Sequence, residues 1–221
     1  GAGNDVGRGI GVERAGKVYA TGIFEGVVEF NPTGPDRSVL SAGASSFFFP
    51  KPSNIFVLKL NSDGAFLWAK QAGPHGELAR ANGLVLDTDG NVYTTGVFSG
   101  FFSTPDFDPG SGTSFPTLRF SSDIFGWKLD HNGNFVMAES MGGGFEDFAA
   151  SIALDPIGNI LVTGGFQGTA GFDPGGGEPS RTAAGDGELL APGQHSMRGK
   201  PGREGPGLLE AYRERRGADE H

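Results

Sequence analysis

Acidic residues recur beside glycine in this chain, and carboxylate oxygens at close spacing could bind a cation. One such motif is Asp87-Thr88-Asp89-Gly90-Asn91. An EF-hand calcium loop requires oxygen ligands at positions 1, 3 and 5, a glycine at position 6 and a bidentate glutamate at position 12. Counted from Asp87, the glycine is fourth and position 12 is Phe98. The spacing therefore does not fit an EF-hand, and it favours a tight hairpin turn.

A second acidic motif, Phe-Asp-Pro-Gly, occurs at Phe107 and again at Phe172. The carboxylates in and beside it make Asp106, Asp108 and Asp173 the candidate ligands of a weak calcium site. The alternative is structural, because proline at the second position and glycine at the third are typical of β-turns. Since the motif is repeated, the structural interpretation is favoured, and we expect the chain to fold without calcium or another cofactor.

Two segments and two histidines bear on enzymatic chemistry. Asn61–Trp68 resembles a sialidase Asp box, but its serine, aspartate and glycine are adjacent rather than alternating. The same segment resembles the tryptophan-docking repeat of quinoprotein dehydrogenases, a periodicity that Met137 breaks in the related segment Asp123–Glu139. His75 and His131 fall in expected turns, and no serine with an orienting acid lies beside either, as a catalytic triad requires. We therefore assign no catalytic and no cofactor-binding residue.

One turn pattern recurs five times and accounts for most of these acidic segments. Each instance reads apolar, polar or acidic, two variable residues, glycine, any residue, apolar. Aspartate or asparagine at the start of a turn can accept a hydrogen bond from the backbone two residues on, and glycine supplies the positive φ that closes the turn. β-Branched and aromatic residues flank the turns, which favours strands. Each instance is therefore predicted to be a β-hairpin, with Gly16, Gly64, Gly90, Gly133 or Gly158 as its structural glycine.

The hairpins belong to a larger repeat. The segments GKVYATGIF, GNVYTTGVF and GNILVTGGF begin at Gly16, Gly90 and Gly158, which defines a unit of about seventy residues. Each full unit holds four predicted strands, roughly Gly9–Glu13, Lys17–Phe24, Asn54–Leu60 and Ala65–Lys70 in the first, and Gly83–Leu86, Asn91–Phe98, Asp123–Leu129 and Asn134–Glu139 in the second. A repeated four-stranded meander is the blade of a β-propeller. The predicted fold is therefore all-β, a β-propeller fragment of about two and a half blades.

The segments GNVYTTGVFSG, DFDPGSG and SDIFGWKLDHNGNF resemble the SBBP β-propeller repeats of bacterial secreted and cell-surface proteins, over roughly residues 4–190. The resemblance implies an extracellular or cell-surface location and a protein or carbohydrate partner at the cell surface. The chain departs from the pattern at Asn31-Pro32-Thr33-Gly34, at the insert around Phe47-Phe48-Phe49-Pro50, and at Met137. The phenylalanine run is interpreted as a loop that covers a blade edge or, alternatively, as a partner-binding patch.

The repeats divide residues 1–190 into units of about 4–73, 74–141 and 142–190. Residues 191–221 contain no Phe, Val, Ile or Trp, and such a composition is too poor in apolar residues to form a packed core. This tail is predicted to be disordered or non-native, the product of a shifted reading frame or a cloning artefact. Because the opening GAGNDVGRGI matches the middle of a unit, we expect the sequence to be a fragment of a larger propeller.

Composition narrows the function further. The net charge is −9, and an acidic body argues against binding nucleic acid, which needs clusters of Lys and Arg. No apolar run approaches the ~20 residues of a membrane-spanning helix. The predicted function is a non-catalytic structural or interaction module of a secreted or cell-surface bacterial protein. The alternative is part of a lyase- or hydrolase-like propeller enzyme whose active site is completed by missing blades.

Overall fold

The computed structural model describes residues 3–32, 34, 37–44, 51–73, 78–100, 105–119, 122–172 and 180–182, together with the backbone of residues 195–200 and 208–209. Within these residues every regular element is a β-strand, and no helix is present. The strands form successive antiparallel sheets, two with four strands, one with six and one with two. The predicted all-β, propeller-like fold is thereby confirmed. His75, Asp173 and the run Phe47-Phe48-Phe49 lie outside the described residues.

The first unit forms one four-stranded sheet and a separate hairpin. Its strands are β1 (Val6–Val12), β2 (Val18–Glu25), β3 (Val27–Glu29), β4 (Val39–Ser41), β5 (Ser53–Leu60) and β6 (Phe66–Ala72). The sheet has the order β1-β2-β5-β6, and β3 pairs with β4. Segments rich in β-branched and aromatic residues extend and pair with the next segment, because a glycine turn reverses the chain between them.

The second sheet contains strands from two units. The second unit supplies β7 (Ala79–Leu86), β8 (Val92–Phe98), β9 (Asp123–Leu129) and β10 (Phe135–Gly143). The third unit has β11 (Phe148–Leu154), β12 (Ile160–Gly165), β13 (Thr169–Gly171) and β14 (Ser180–Thr182). The hairpin β13–β14 adds to the end of β10, so the sheet has six strands in the order β14-β13-β10-β9-β8-β7. This addition joins the third unit to the second by backbone hydrogen bonds.

Two short strands complete the third sheet from the C-terminal tail. They are β15 (His195–Lys200), which pairs with β12, and β16 (Leu208–Leu209), which pairs with β15. The backbone of β15 thus takes the place of a third blade strand, although the repeat pattern in the sequence stops near residue 190. Most of the tail lies outside the described residues, and its assignment as disordered or non-native stays a prediction.

The first strand is longer than the sequence pattern predicts in each of the first two units. The strands β1 and β7 begin at Val6 and Ala79, because a bulge at Arg8 or Asn82 lets the ladder continue past the expected end. The third unit repeats the bulge between Ala149 and Ser151. Opposite each bulge stands the glycine of a Thr-Gly pair, where an added Cβ would overlap the carbonyl oxygen of the facing strand; these glycines are Gly22, Gly96 and Gly164. The bulge is therefore the reason for the repeated Thr-Gly.

The main hydrophobic core lies between the first and second units. Tyr19, Ile55 and Val57 of the first unit pack with Phe98, Phe125, Trp127 and Leu129 of the second. A smaller cluster joins the second unit to the third through Ile124, Met141, Ala149 and Val162. Full burial of a large apolar side chain stabilises by roughly 1.5–3 kcal/mol. Both faces of the second sheet are therefore buried, which is the packing expected of a blade between two neighbours.

Candidate functional site

The carboxylates at the hairpin tips are bound by their own turns. Asp87 Oδ1 accepts the backbone N–H groups of Asp89 (3.0 Å) and Asn91 (2.9 Å). Asp87 Oδ2 accepts the Asn91 amide (2.8 Å) and the Tyr93 hydroxyl (3.1 Å). Asp130 and Asp155 bind the corresponding backbone and asparagine N–H groups of their turns. The tips are thus closed by hydrogen bonds within the hairpin.

The turn glycines have the conformation that closes such a tip. Their φ angles are positive, at 83° for Gly16 and Gly64, 78° for Gly90, 82° for Gly133 and 84° for Gly158. Partial burial acts to raise the pKa of Asp130, but hydrogen bonds from Asn134 and Asn132 outweigh it and hold that pKa below its usual value. This carboxylate therefore stays ionised at neutral pH and stabilises the turn as a charged acceptor.

Asp106 and Asp108 lie beside a polar cleft between the first and second units. The cleft has a volume of about 220 Å³, and Asn54, Gln71 and Gly73 also line it. Asp106 Oδ1 accepts the backbone N–H groups of Asp108 and Ser114, both at 2.9 Å. Asp108 Oδ1 accepts the N–H of Gly110 at 2.7 Å. Both carboxylates therefore shape their own loop.

The structure does not join these two carboxylates to the third candidate, because Asp173 lies outside the described residues. Among the residues that the structure describes, no group of three or more His, Cys, Asp or Glu side chains is arranged to hold a metal ion. Whether calcium binds stays a prediction. The backbone of this loop has a structural role, because the Gly73 N–H donates to the Asp106 carbonyl oxygen at 3.0 Å and so links the two units.

The phenylalanine of the Phe-Asp-Pro-Gly motif anchors its loop. The Phe107 ring is fully buried, and its centroid lies 5.6 Å from that of Phe98 and 5.2 Å from that of Phe125. In the first unit Phe30 takes the same place, 6.0 Å from Phe24 and 4.9 Å from Phe56. The motif therefore couples an apolar anchor to an aspartate turn, which explains its repetition.

Three side chains of the first unit donate hydrogen bonds to the hairpin tips of the second. The Tyr19 hydroxyl donates to the Gly90 carbonyl oxygen at 2.9 Å. The His131 carbonyl oxygen accepts from Lys59 Nζ at 2.7 Å and from Trp68 Nε1 at 3.4 Å. We refer to these three side chains as the clasp. They lie on the trailing face of the unit, the side that contacts the next unit along the chain.

Burial and charge act on both titratable groups of the clasp. Burial raises the pKa of Tyr19 well above its usual value, and the nearby Glu13 carboxylate acts in the same direction. Burial lowers the pKa of Lys59, which Glu13 partly offsets. The Lys59 ammonium lies 4.7 Å from the centroid of the Tyr19 ring and 3.9 Å from Glu13 Oε2. The tyrosine is therefore a neutral donor, and the buried lysine has an aromatic face and a carboxylate beside it.

The second unit repeats part of this arrangement on its own trailing face. Tyr93 occupies the position of Tyr19, and Lys128 Nζ lies 4.6 Å from its ring centroid, as Lys59 does over Tyr19. Met137 replaces Trp68 and is buried against the third unit beside Ile152 and Val162. The departure from the repeat that was noted at Met137 thus changes a polar contact into an apolar one.

The opposite side of the first unit, its leading face, is exposed. Ile10 and Val12 of β1 are 73% and 62% exposed. The equivalent side chains of the second unit, Leu84 and Leu86, pack against the core that it shares with the first unit. Gly11 of β1 makes room for them, since a Cβ there would lie 2.8 Å from Leu84 Cδ2. The first unit therefore presents a surface that is covered by a neighbouring unit where it recurs.

A backbone edge belongs to the same leading face. In the second and third units, the residue before the motif phenylalanine bridges to the last strand of the preceding unit, Asp106 to Gly73 and Gly171 to Gly142. The corresponding residue of the first unit is Glu29, at the end of β3, and among the described residues β3 pairs in a ladder with β4 alone. Val27 on this strand is 60% exposed.

Sequence reasoning identified the turns but missed the clasp. The signal was present, because tyrosine recurs three residues after the glycine at Tyr19 and Tyr93, and lysine recurs in Lys59 and Lys128. What the sequence could not show is that these side chains reach the next unit. At His131 it is the backbone carbonyl oxygen that the clasp binds. Only the backbone of His195 is described, and His221 lies outside the described part of the chain.

Comparison with known proteins agrees with the fold. No family model matches the chain. An uncharacterized WD repeat-containing protein, L264, from Acanthamoeba polyphaga mimivirus is 31% identical over 126 residues, a match that spans 50% of this chain and 9% of that protein. WD repeats are propeller blades. The likeness and the repeated antiparallel sheets together indicate a propeller-like repeat protein. In the described residues no helix is long and apolar enough to cross a membrane.

Proposed function

We propose that the chain is a non-catalytic structural and interaction module of the SBBP type, in a bacterial secreted or cell-surface protein. The observation that best supports this proposal is that polar side chains of the chain hold turns or join neighbouring units. Asp87, Asp130 and Asp106 hold turns, while Tyr19 and Lys59 join one unit to the next. Side chains that resemble catalytic or metal-binding groups in the sequence thus have structural partners.

The exposed leading face indicates which kind of partner the module binds. Its apolar side chains, Ile10 and Val12, correspond to side chains that the preceding unit covers elsewhere in the chain. The carbonyl groups of Gly16 and Ser62 correspond by position to those of Gly90 and His131, which the clasp binds. The occupant is therefore another unit of the same repeat, with a tyrosine, a lysine and an aromatic residue on its trailing face.

Extension of the chain tests this assignment. A copy of residues 4–78 is placed directly before Asp5, the position equivalent to Ala79, and amide exchange is measured on β1 with and without the copy. We expect exchange at Ile10 and Val12 to slow at least tenfold, because the added unit covers them. A matched control carries Tyr19→Phe and Lys59→Met in the copy only, and its protection should be weaker. Unchanged exchange on β1 in the extended chain would overturn the assignment.

Location is tested separately. Tagged protein in intact cells of the native organism should be cleaved by added protease, or be recovered from the medium, while a cytoplasmic marker stays intact. Complete protection until the cells are lysed would contradict an extracellular or cell-surface location without affecting the repeat assignment.

The class of partner is tested by probing a glycan array and a panel of surface proteins with the full chain, which distinguishes carbohydrate binding from protein binding.

A further inference from the structure

Two carboxyl groups are buried where the second and third units meet. Asp123 begins β9 and Asp147 directly precedes β11. They are 0% and 1% exposed. The backbone N–H of Asp147 donates to the carbonyl oxygen of Ser122 at 3.1 Å, and Ser122 bridges to Glu146 in parallel register. The pair therefore lies on the chain segments that connect the two units.

The oxygens of the pair are unequally satisfied. Asp147 accepts the N–H of Gly143 at Oδ2 (2.6 Å) and that of Gln167 at Oδ1 (3.1 Å). Asp123 Oδ2 accepts the N–H of Arg119 at 2.6 Å. Asp123 Oδ1 is buried and has no hydrogen-bond partner among the described residues. One oxygen of the four is thus left without a donor, which is costly in a buried site.

The unsatisfied oxygen lies near the other carboxyl group. A Cβ added to Gly142 would overlap Asp123 Oδ1 and lie 2.6 Å from Asp147 Oδ2. Both oxygens therefore converge on the space beside the Cα of Gly142, whose φ is 152°. A proton on Asp123 Oδ1 could be donated to Asp147 Oδ2, and it would satisfy the remaining oxygen.

The charges around the pair favour a proton on Asp123. Burial raises the pKa of Asp123 to about 6, opposed by the N–H and the guanidinium of Arg119 and reinforced by Asp147. Burial also raises the pKa of Asp147, opposed by its two backbone donors and by Arg119. Asp147 is the better-solvated anion because it accepts two N–H groups. The proton therefore belongs on Asp123, and a carboxyl dyad with one proton results.

The junction between the first and second units shows that the repeat does not require the pair. Asn54 takes the place of Asp123, as the register of Phe24 with Asn54 and of Phe98 with Asp123 shows. Ala79 takes the place of Asp147, and Gly73 that of Gly142. The first junction thus has the same backbone arrangement with an amide and a methyl group, and it carries no ionisable side chain at these two positions.

We propose that Asp123 and Asp147 share one proton, and that its loss loosens the contact between the second and third units. The junction is then a pH-sensitive joint, while the first junction stays insensitive. Because the folded state holds the Asp123 proton up to pH about 6 and an unfolded aspartate releases it near pH 4, the stabilisation is complete below about pH 4 and is lost as the pH rises through about 6.

Amide exchange of the full chain between pH 4.5 and 7.5 tests the proposal. The reporters are the N–H groups of Gly143 and Gln167, which donate to Asp147, with rates corrected for the intrinsic pH dependence of exchange. We expect their protection to fall by up to about 25-fold across this range, which is the part above pH 4.5 of the roughly 100-fold total that a pKa difference of about 2 gives. The Gly73 N–H in the first junction is the internal control and should keep constant protection.

The matched variant is Asp123→Asn, which copies Asn54. Its amide group can donate to Asp147 at every pH, so protection of Gly143 should become high and independent of pH. Carboxyl carbon chemical shifts of the unaltered chain give a second measurement, with Asp123 expected to titrate near pH 6. Titration near pH 4, or the same pH dependence in the variant as in the unaltered chain, would overturn the proposal.

Discussion

At the scale of single residues, aspartate is the group whose chemistry is most easily misread in this chain. Asp87, Asp106 and Asp130 stand beside turns where a carboxylate could be taken for a cation ligand, and each accepts two backbone N–H groups through one oxygen. An aspartate that closes a turn and an aspartate that binds calcium need the same exposed oxygens beside glycine. The hydrogen-bond partners, which only coordinates supply, distinguish the two.

Removal of calcium tests the residue-level interpretation. We expect thermal unfolding in excess EGTA and in millimolar calcium to give the same midpoint, because backbone N–H groups already occupy Oδ1 of Asp106 and Asp108. Magnesium at the same ionic strength is the control for charge screening. A calcium-specific rise of several degrees, abolished by Asp106→Asn, would show that these carboxylates do bind the ion.

Substitutions at two turn glycines of the same conformation distinguish the energetic cost of backbone strain from that of side-chain packing. Gly64 and Gly90 have φ angles of 83° and 78°. A Cβ at Gly64 would meet nothing within 4 Å, whereas one at Gly90 would lie 2.8 Å from Glu13 Oε2 of the first unit. We expect Gly64→Val to cost about 1–2 kcal/mol of unfolding free energy from the left-handed backbone alone, and Gly90→Val to cost more, because the Glu13 carboxylate, which binds Lys17 and Tyr19, must also move aside.

Urea unfolding of the two glycine variants measures both costs. Equal losses would mean that the tip of the second unit is not packed against the first. A larger loss for Gly64→Val would contradict the placement of Gly90 beneath the clasp.

At the scale of elements, hairpin tips are the parts through which neighbouring units recognise one another. The clasp binds carbonyl groups of the tips, and a backbone carbonyl is present whatever side chain stands there. The contact at His131 therefore does not depend on the identity of its side chain. The hairpin β13–β14 makes the second kind of contact, since it extends the sheet of the preceding unit by two strands.

The two repeated tyrosines allow a controlled test of the clasp. Tyr19→Phe should lower the unfolding free energy by about 1–2 kcal/mol, because the buried carbonyl of Gly90 loses its donor. Tyr93→Phe removes a bond to Asp87 within one hairpin, and Asp87 keeps its other donors, so we expect at most about 1 kcal/mol. Chemical denaturation of the full chain compares the two. A greater loss for Tyr93→Phe would show that the hydroxyl of Tyr19 does not support the contact between units.

At the scale of the whole molecule, the leading face of the first unit determines how the chain behaves in solution. Exposed apolar side chains, and a strand edge with no ladder partner in the described part of the chain, favour contact with another chain. We expect light scattering to show association of the full chain, and Ile10→Thr with Val12→Thr to reduce it. Val136→Thr is the matched control, because Val136 is 47% exposed on β10 and lies away from this face. A monodisperse monomer with the exposed face unaltered would contradict the expectation.

Much of this architecture follows from the sequence, because local rules are repeated. The Asx-Gly turns, the alternation of strands and turns and the length of the unit each depend on a few neighbouring residues, and their recurrence confirms them within one chain. The all-β, propeller-like fold was predictable for that reason. The Phe-Asp-Pro-Gly motif was also recognisable as a turn, although the burial of Phe107 against Phe98 and Phe125 was not.

Tertiary structure alone decided which side chains meet across units. Tyr19 and Gly90 are 71 residues apart, and no local pattern states that a hydroxyl on one blade reaches a carbonyl on the next. The pairing of Asp123 with Asp147 has the same origin, since one stands at a strand start and the other in a connection. The cost or benefit of a buried polar group depends on the partners that packing brings to it. Contacts of that kind lie between repeats, whereas the sequence pattern describes what lies within one.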